Sequence, residues 1–293
     1  SINRDHRNAI FLPGIDLDPR IRAGGELADL AAMDALLLVA PAQHVRAVCK
    51  SLVPHCRPTM PMVICAKGVE QPRGEMLSDI VASILPRAPL AVLSGPTFAD
   101  EVARGLPAAV TLAASDAELG RQLQDRLGRP TFRTYLSTDI VGAQIGGAVK
   151  NVLAIACGVV EGLNLGRNAR AALMTRGLVE IVRLGQAMGA KLETLLGLCG
   201  MGDLVLTCSS EQSRNFSLGL ALGQGRKLAD VLGQRVSVAE GVTSAPAVLA
   251  LAARHGVEMP ICAAVNGVLH QGASLREAIN GLLSRPFKAE WPA

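Results

Sequence analysis

The sequence predicts an α/β domain followed by an all-α domain, and three observations support this. Short apolar runs alternate with helical stretches over the first half of the 293 residues. From about residue 138 the hydrophobic spacing becomes helical almost throughout. Hydrophobic residues make up 49% of a chain that is long enough for two domains. We therefore predict domains at 1–138 and 139–293.

Five runs in the first domain have the composition of buried strands. They are 34–41, 60–68, 88–96, 107–114 and 131–137. Helical spacing lies between them at 42–55, 74–85 and 116–128. Strands that alternate with helices of about 10–15 residues are typical of βαβ units. We therefore expect a parallel sheet with helices packed on it.

The second domain carries helix signals and no strand signal. Residues 174, 178, 181, 185 and 188 are spaced by three or four and share one helical face. Gly256 is expected to end a helix, because glycine adopts the left-handed conformation at a C-terminus. The segment "SLRE" (274–277) has the pattern of a capping box and predicts the start of the last helix.

Composition excludes several functional classes. The net charge is only +4, and one Trp and one Tyr offer few stacking surfaces, so we expect no nucleic-acid partner. Seven cysteines without a C-x-x-C pair argue against disulfides and structural zinc, which predicts no metal and a cytoplasmic location. No run reaches about 18 consecutive apolar residues, and we predict no membrane span. Mild basicity suits an anionic small molecule.

Three loops follow predicted strands and carry unusual residues. They contain Pro41, Lys67, and the run Gly95–Thr97 with its Gly-Pro turn and hydroxyl. Taken singly, a lysine in a loop is more often solvated, and a Gly-Pro pair is usually only a turn. The carboxyl ends of parallel strands share one sheet edge, where ligands bind in open α/β folds. Their common position favours a ligand site.

Lys150 is the strongest single signal in the second domain. It lies in "GAQIGGAVKNVLAIACGVV" (142–160), a run that is otherwise apolar or neutral and predicts a buried helix. Lysine is rarely buried unless it is paired, and burial lowers its pKa toward that of a general base. A snorkelling side chain or a structural ion pair is the alternative. Asn151 adds a polar group, and Gly146 and Gly147 predict a close approach to the helix backbone.

Two further segments carry polar residues between apolar runs. Asp203 precedes "LVLTC", and Thr207 lies one helical turn later on the same face if the segment is a helix. By itself, Asp203 is more often a cap or turn residue. Ser213, Arg214 and Asn215 combine a guanidinium fork with hydroxyl and amide donors, a set suited to phosphate or carboxylate. An exposed arginine without a ligand is the common alternative.

Together these segments resemble bacterial NAD(P)-dependent glycerol-3-phosphate dehydrogenases over essentially the whole chain. The motifs that carry the resemblance are "AKG", "LSGPTFADEVARGLP", "GGAVKN", "GDLVLTC", "QSRN" and "AEGV". The resemblance implies a Rossmann-type first domain and a helical second domain. It also implies hydride transfer between NAD(P)H and dihydroxyacetone phosphate, giving sn-glycerol 3-phosphate for phospholipid synthesis. NAD and NADP both remain open as the cofactor, and we expect a cytoplasmic homodimer.

The resemblance also assigns roles to individual residues. The catalytic group would be Lys150 as general base, Lys67 as second lysine, and Asp203 and Thr207 as orienting partners. The substrate-binding residues would be Lys67, Gly95, Thr97, Lys150, Asn151, Asp203, Ser213, Arg214 and Asn215. The cofactor-binding residues would be Pro41, Lys67, Ala99, Arg214, Val238 and Glu240.

The chain departs from the family pattern at its start. The family opens with a strand, a G-x-G-x-x-G turn and a helix, and the sequence contains no such turn. We therefore expect this chain to be a truncated version of a longer protein, in which the Rossmann domain is incomplete and the first βαβ unit is absent. In that case "IRA" (21–23) would be an isolated strand, and the middle of the sheet would become an edge.

Two other functions remain open from the sequence. A dehydrogenase of a 3-hydroxy acid or a sugar acid would share the two-domain layout and the lysine, but it would not need the "SRN" phosphate motif. A truncated, non-catalytic paralogue would explain the missing Gly-rich turn.

Overall fold

The computed structural model describes residues 1–234, 239–287 and 289–290. Within these residues the strands are β1 (Leu36–Leu38), β2 (Met62–Ile64), β3 (Val69–Glu70), β4 (Glu75–Met76), β5 (Leu90–Ser94), β6 (Ala108–Ala114) and β7 (Phe132–Ser137). The helices are α1 (Ile2–Asp5), α2 (Val45–Leu52), α3 (Leu77–Ile84), α4 (Ala99–Ala103), α5 (Ala117–Leu127), α6 (Ile140–Gly162), α7 (Arg167–Ala187), α8 (Leu192–Leu195), α9 (Asp203–Cys208), α10 (Arg214–Gly223), α11 (Leu228–Gly233), α12 (Glu240–Arg254), α13 (Pro260–His270) and α14 (Leu275–Leu283). Short 3₁₀ segments occupy Leu27–Ala32 and Ala42–His44, and a π-helical turn occupies Leu198–Gly202.

All five predicted strands are present, in the order β1-β2-β5-β6-β7. The prediction of a wholly parallel sheet is wrong at one pair, because β6 runs antiparallel to β5. The connection between them holds only the five-residue α4, which spans about 7.5 Å. This helix is too short to run back along the sheet as the crossover helix of a parallel pair does, and the chain re-enters the sheet from the same edge.

The first domain has helices on both faces of its sheet. Leu52 of α2 and Leu77 of α3 lie in one apolar cluster with the sheet residue Ile64. Leu119 of α5 lies in another cluster, with Leu112 of β6. Residues 21–23, predicted as an isolated strand, lie outside all strands of the described chain. In the sheet as described, β1 is an end strand beside β2.

The second domain is built around α6. Asp139 caps this helix, since its carboxylate accepts hydrogen bonds from the N–H groups of Gly142 and Lys191, both at 2.8 Å. The proposed domain boundary at 138/139 falls between the end of β7 and this cap. By length and composition, α6 could cross a membrane, although the sequence analysis predicted no span. Most of α6 is buried inside the protein, as is typical of the core helix of a soluble domain.

The predicted close approach to α6 is confirmed. A Cβ on Gly146 would lie 2.4 Å from the carbonyl oxygen of Cys199, in the π-helical turn. A Cβ on Gly147 would lie 3.2 Å from Cγ of Lys67. The two glycines therefore let the Leu198–Gly202 turn and the Lys67 side chain pack directly on the helix backbone.

The helix-end predictions in the second domain are also confirmed. Gly256 follows α12 with φ of +66°, in the left-handed region. Ser274 and Glu277 form both halves of a capping box at the start of α14. The β3–β4 hairpin was not predicted, and it joins the domains. Gln71 Nε2 donates to the carbonyl oxygen of Thr243 at 2.5 Å, which holds α12 beside the first domain.

Candidate active site

Four polar side chains from three distant segments of the chain meet at the carboxyl edge of the sheet. Lys67 lies three residues beyond the end of β2, and Lys150 lies in the middle of α6. Asp203 and Thr207 lie one turn apart on α9, as the sequence predicted. Parallel strands place their following loops on one edge, and the close packing on α6 brings the second domain to that edge.

Asp203 joins the two lysines. Its Oδ1 accepts a hydrogen bond from Lys150 Nζ at 2.5 Å, and its Oδ2 accepts one from Lys67 Nζ at 2.7 Å. Lys150 also donates to Thr207 Oγ1 at 2.7 Å, and Lys67 donates to the carbonyl oxygen of Gly95 at 3.1 Å. Asp203 is therefore a shared anion in the site rather than a helix cap.

Burial and the neighbouring charges explain why the pKa of Lys150 is lowered. Burial lowers the pKa of Lys150, the nearby positive charge of Lys67 lowers it as well, and Asp203 opposes both effects, which together leave the pKa at about 8. An amine with this pKa exchanges its proton readily near neutral pH. With two cations and one anion, the cluster carries one net positive charge that can face a developing oxyanion.

The predicted anion-binding residues lie at the start of α10. Arg214 is its first residue and is exposed, while the Ser213 hydroxyl caps the helix by accepting from Phe216 N–H at 3.2 Å. Backbone N–H groups and the helix dipole favour an anion at such an N-terminus. Arg214 therefore has the exposure and the local field that an anionic ligand needs.

Asn151 and Asn215 have a structural link in addition to their predicted roles. Asn215 Nδ2 donates to Asn151 Oδ1 at 2.9 Å, and Asn215 Oδ1 accepts from Gly241 N–H at 2.9 Å. This chain of bonds ties α6, α10 and α12 together. Each amide has two N–H donors, so one N–H of Asn215 remains for a ligand.

The predicted cofactor residues come from two strand loops and from α12. Pro41 leads into the 3₁₀ turn after β1, and Ala99 begins α4 after β5. Burial raises the pKa of the Glu240 carboxyl, while the Arg214 charge and a hydrogen bond from the Ala42 N–H oppose this rise. Thr97 Oγ1 donates to the Gly95 carbonyl oxygen at 3.4 Å. Val238 lies outside the described residues.

Two serines near the site were missed by the sequence analysis. Ser94 and Ser244 are buried, and each has a side-chain oxygen without a hydrogen-bond partner among the described residues. Ser94 could have been noticed because it immediately precedes the Gly95-Pro96 turn. Ser244 has no sequence signal, since a serine in a helix is ordinary.

An open sheet with helices on both faces, a helical second domain and two lysines on one buried carboxylate are typical of two-domain, dinucleotide-dependent dehydrogenases. Family models agree with this class. Residues 1–120 match the N-terminal model of NAD-dependent glycerol-3-phosphate dehydrogenase, and residues 139–280 match the C-terminal model. The chain belongs to the NAD-dependent glycerol-3-phosphate dehydrogenase family.

Relatives and solved structures point to the same family. A glycerol-3-phosphate dehydrogenase (NAD(P)+) of Caulobacter vibrioides is 59% identical over 99% of this chain and 88% of its own length. One from Rhodospirillum rubrum is 61% identical over 99% of this chain and 83% of its own length. The crystal structure of glycerol-3-phosphate dehydrogenase from Coxiella burnetii superposes with a TM-score of 0.93, at 38% identity, over 97% of this chain and 87% of that one.

The comparisons bear on the expectation of a missing N-terminal segment. The N-terminal family model matches from residue 1 through residue 120, so this expectation is not supported. The absence of a first βαβ unit is likewise not confirmed. The coarser prediction, a Rossmann-like first domain followed by a helical second domain, is confirmed.

Proposed function

We propose that this chain catalyses the reversible reduction of dihydroxyacetone phosphate to sn-glycerol 3-phosphate, with NADH or NADPH as the hydride donor. The observation that carries the proposal is the Lys150–Asp203–Lys67 cluster, with Arg214 at the start of α10. The cluster suits a carbonyl oxygen that becomes an alkoxide, and Arg214 suits a phosphate. The product would feed glycerophospholipid synthesis, as it does in the family that the sequence resembles.

The residues at the carboxyl ends of β1 and β2 fit the nicotinamide end of a dinucleotide. Gly68 lets its backbone pack against Ala42, whose Cβ lies 2.7 Å from the position that a Cβ on Gly68 would occupy. The Ser244 hydroxyl, which has no hydrogen-bond partner among the described residues, lies 3.5 Å from the same position. Pro41, Lys67, Ala99, Arg214 and Glu240 would hold the cofactor there, together with Val238. When bound, the nicotinamide supplies a hydride to the carbonyl carbon.

Lys150 acts as the proton donor during reduction. Its ammonium gives one proton from Nζ to the carbonyl oxygen as that oxygen gains negative charge, and it takes the proton back in the oxidation direction. Lys67 supplies a second cation at the same oxygen. Asp203 and Thr207 fix the Lys150 amine, and the short bond to Asp203 limits its movement.

The phosphate group holds the reacting carbon in place. Arg214 binds two phosphate oxygens through its guanidinium fork, while Asn215 and the Ser213 hydroxyl add donors. Gly95, Thr97 and Asn151 would contact the substrate between this end and the lysines. Binding energy from the phosphate is used to orient the carbonyl at Lys150.

The test is turnover by the purified protein with NADH or NADPH and dihydroxyacetone phosphate, followed as loss of reduced-cofactor absorbance. We expect Arg214→Ala to raise KM for dihydroxyacetone phosphate at least about tenfold, because a charge-assisted, bidentate contact is lost. Unphosphorylated dihydroxyacetone should be a poor substrate for both proteins. Faster turnover of an unphosphorylated hydroxy acid would contradict the proposal, and no turnover would favour the non-catalytic alternative.

We also propose a homodimeric, cytoplasmic protein with domains divided at 138/139. The location is supported by seven cysteines that are all free thiols, five of them buried. Sedimentation of the purified protein tests the dimer, and a monomer would contradict it.

A further inference from the structure

Buried polar atoms without a partner are few, and two of them lie beside the Lys67–Gly68 loop. Within the described residues these atoms are His6 Nδ1, Ser94 Oγ, Arg183 Nε, Ser244 Oγ and Asn266 Oδ1. Buried hydroxyls nearly always have a hydrogen-bond partner, so an unpaired one requires an explanation. Ser244 is the clearest case, because its residue is 0% exposed.

The usual local partner of Ser244 is already engaged. A serine in a helix commonly donates to the carbonyl oxygen four residues earlier, which here belongs to Glu240. That oxygen accepts a hydrogen bond from the Thr243 hydroxyl at 3.1 Å. The Ser244 hydroxyl lies instead toward Gly68, 3.5 Å from the position that a Cβ would occupy there.

Glu240 approaches the same point. Its Oε2 lies 3.6 Å from the Cβ position of Gly68, and Cβ of Ala42 lies 2.7 Å from it. Gly68 has φ of +153°, a conformation that side chains with a Cβ rarely adopt. The close approach of Ala42, Ser244 and Glu240 to this backbone therefore depends on glycine. It lies in the loop that follows β2, at the strand ends where dinucleotides bind in this type of sheet.

We propose that Ser244 is a positioning residue for the cofactor: with a dinucleotide bound, its hydroxyl donates to Oε2 of Glu240 and turns that carboxylate toward the nicotinamide carboxamide. The carboxamide NH₂ is a donor, and an oriented carboxylate is its natural acceptor. Ser244 acts through Glu240 and touches no reacting atom. This inference rests on the proposed function, which makes Glu240 a cofactor contact.

The experiment is a double-mutant cycle on NADH affinity. The proteins are wild type, Ser244→Ala, Glu240→Ala and the double variant, with Kd for NADH measured by its fluorescence. We expect Ser244→Ala to raise Kd about tenfold, which is the lower end of the effect of a hydrogen bond to a charged group, and to leave KM for dihydroxyacetone phosphate unchanged. In the Glu240→Ala background, the same change should have no further effect.

Control variants separate positioning from packing. Ser83→Ala removes a hydroxyl on α3 that donates to the carbonyl oxygen of Ile80 at 2.8 Å, and it should leave Kd for NADH at the wild-type value. Ser244→Cys preserves the volume with a weaker donor and should give an intermediate Kd, even if Ser244→Ala folds poorly. An unchanged Kd in Ser244→Ala, or an equal effect with and without Glu240, would overturn the inference. Failure of wild type to turn over dihydroxyacetone phosphate would instead contradict the proposed function.

Discussion

Asp203 and Glu180 are both carboxylates that are only 1% exposed, but the protein stabilises them in opposite ways. Asp203 is bound by two lysine ammonium groups from different domains. Glu180, in α7, accepts hydrogen bonds from the backbone N–H groups of Ile261 at 2.6 Å and Cys262 at 3.2 Å, where α13 begins. A buried charge needs such partners in either case.

The difference lies in what each partner can do next. A backbone N–H cannot give up its proton, so Glu180 can only anchor the N-terminus of α13, where Pro260 has no N–H to offer. A lysine can lose its proton, and Lys150, with its lowered pKa, is prepared to do so. One buried carboxylate thus holds helices together, and in the proposed mechanism the other holds a proton donor in place.

The largest expected effect is that of Lys150→Met, which tests whether Lys150 acts in the reaction or only in stability. We expect kcat for dihydroxyacetone phosphate to fall about 1,000-fold, in the range that a positioned general acid contributes. The free energy of unfolding should change little, because Asp203 keeps its bond to Lys67. Steady-state kinetics and urea unfolding measure the two effects, with Lys50→Met, on the exposed side of α2, as the matched control. A loss of stability without a large loss of kcat would make Lys150 structural.

Glu180→Gln should have the reverse effect. A glutamine offers one acceptor oxygen in place of two, so one buried N–H at the start of α13 loses its partner. We expect a loss of about 2 kcal/mol in the free energy of unfolding with kcat and KM unchanged.

The matched control for this change is Glu161→Gln. Glu161 pairs with Arg170 at 2.7 Å near the surface, and such pairs contribute at most about 1 kcal/mol. If urea unfolding gave the same loss in the free energy of unfolding for both variants, Glu180 would contribute no more to stability than an exposed ion pair does. A change in kcat would link α13 to the chemistry.

The pH dependence should sharpen the role of Lys150. Reduction needs the protonated amine, so kcat/KM for dihydroxyacetone phosphate should be level below a pH of about 8 and fall tenfold per unit above it. Oxidation of glycerol 3-phosphate needs the neutral amine, so its kcat/KM should rise through the same pH. Lys67→Met removes a positive charge that lowers the pKa of Lys150, so the pH at the midpoint of the kcat/KM profile should rise. A midpoint that is the same in both proteins would exclude coupling between the lysines.

Local patterns predicted much of the fold. The five main strands and the helices between them follow from hydrophobic spacing. The capping box at Ser274 follows from residues with strong preferences at helix ends. The direction of β6 did not follow, because strand direction depends on the path of the connection. The β3–β4 hairpin was missed because its strands have only two residues each, too few for a period to be seen.

The candidate site divides in the same way. The apolar helix around Lys150 indicated that the lysine is buried and has a partner, and the resemblance pointed to Asp203. Ser244 escaped notice because nothing in its neighbours along the chain distinguishes it from any helical serine. The inference about Ser244 depends on its position beside Gly68, a residue that is far away in sequence.

By itself, the sequence determined that a lysine is buried in α6, since a helix that is apolar nearly all round has to be buried whatever packs against it. Only the tertiary structure decided which carboxylate neutralises it, how closely Lys67 approaches, and which hydroxyls remain without a partner. These depend on contacts between residues more than 50 positions apart, such as the bond from Lys150 to Asp203. Such contacts are set by the packing of whole domains, which no short pattern records.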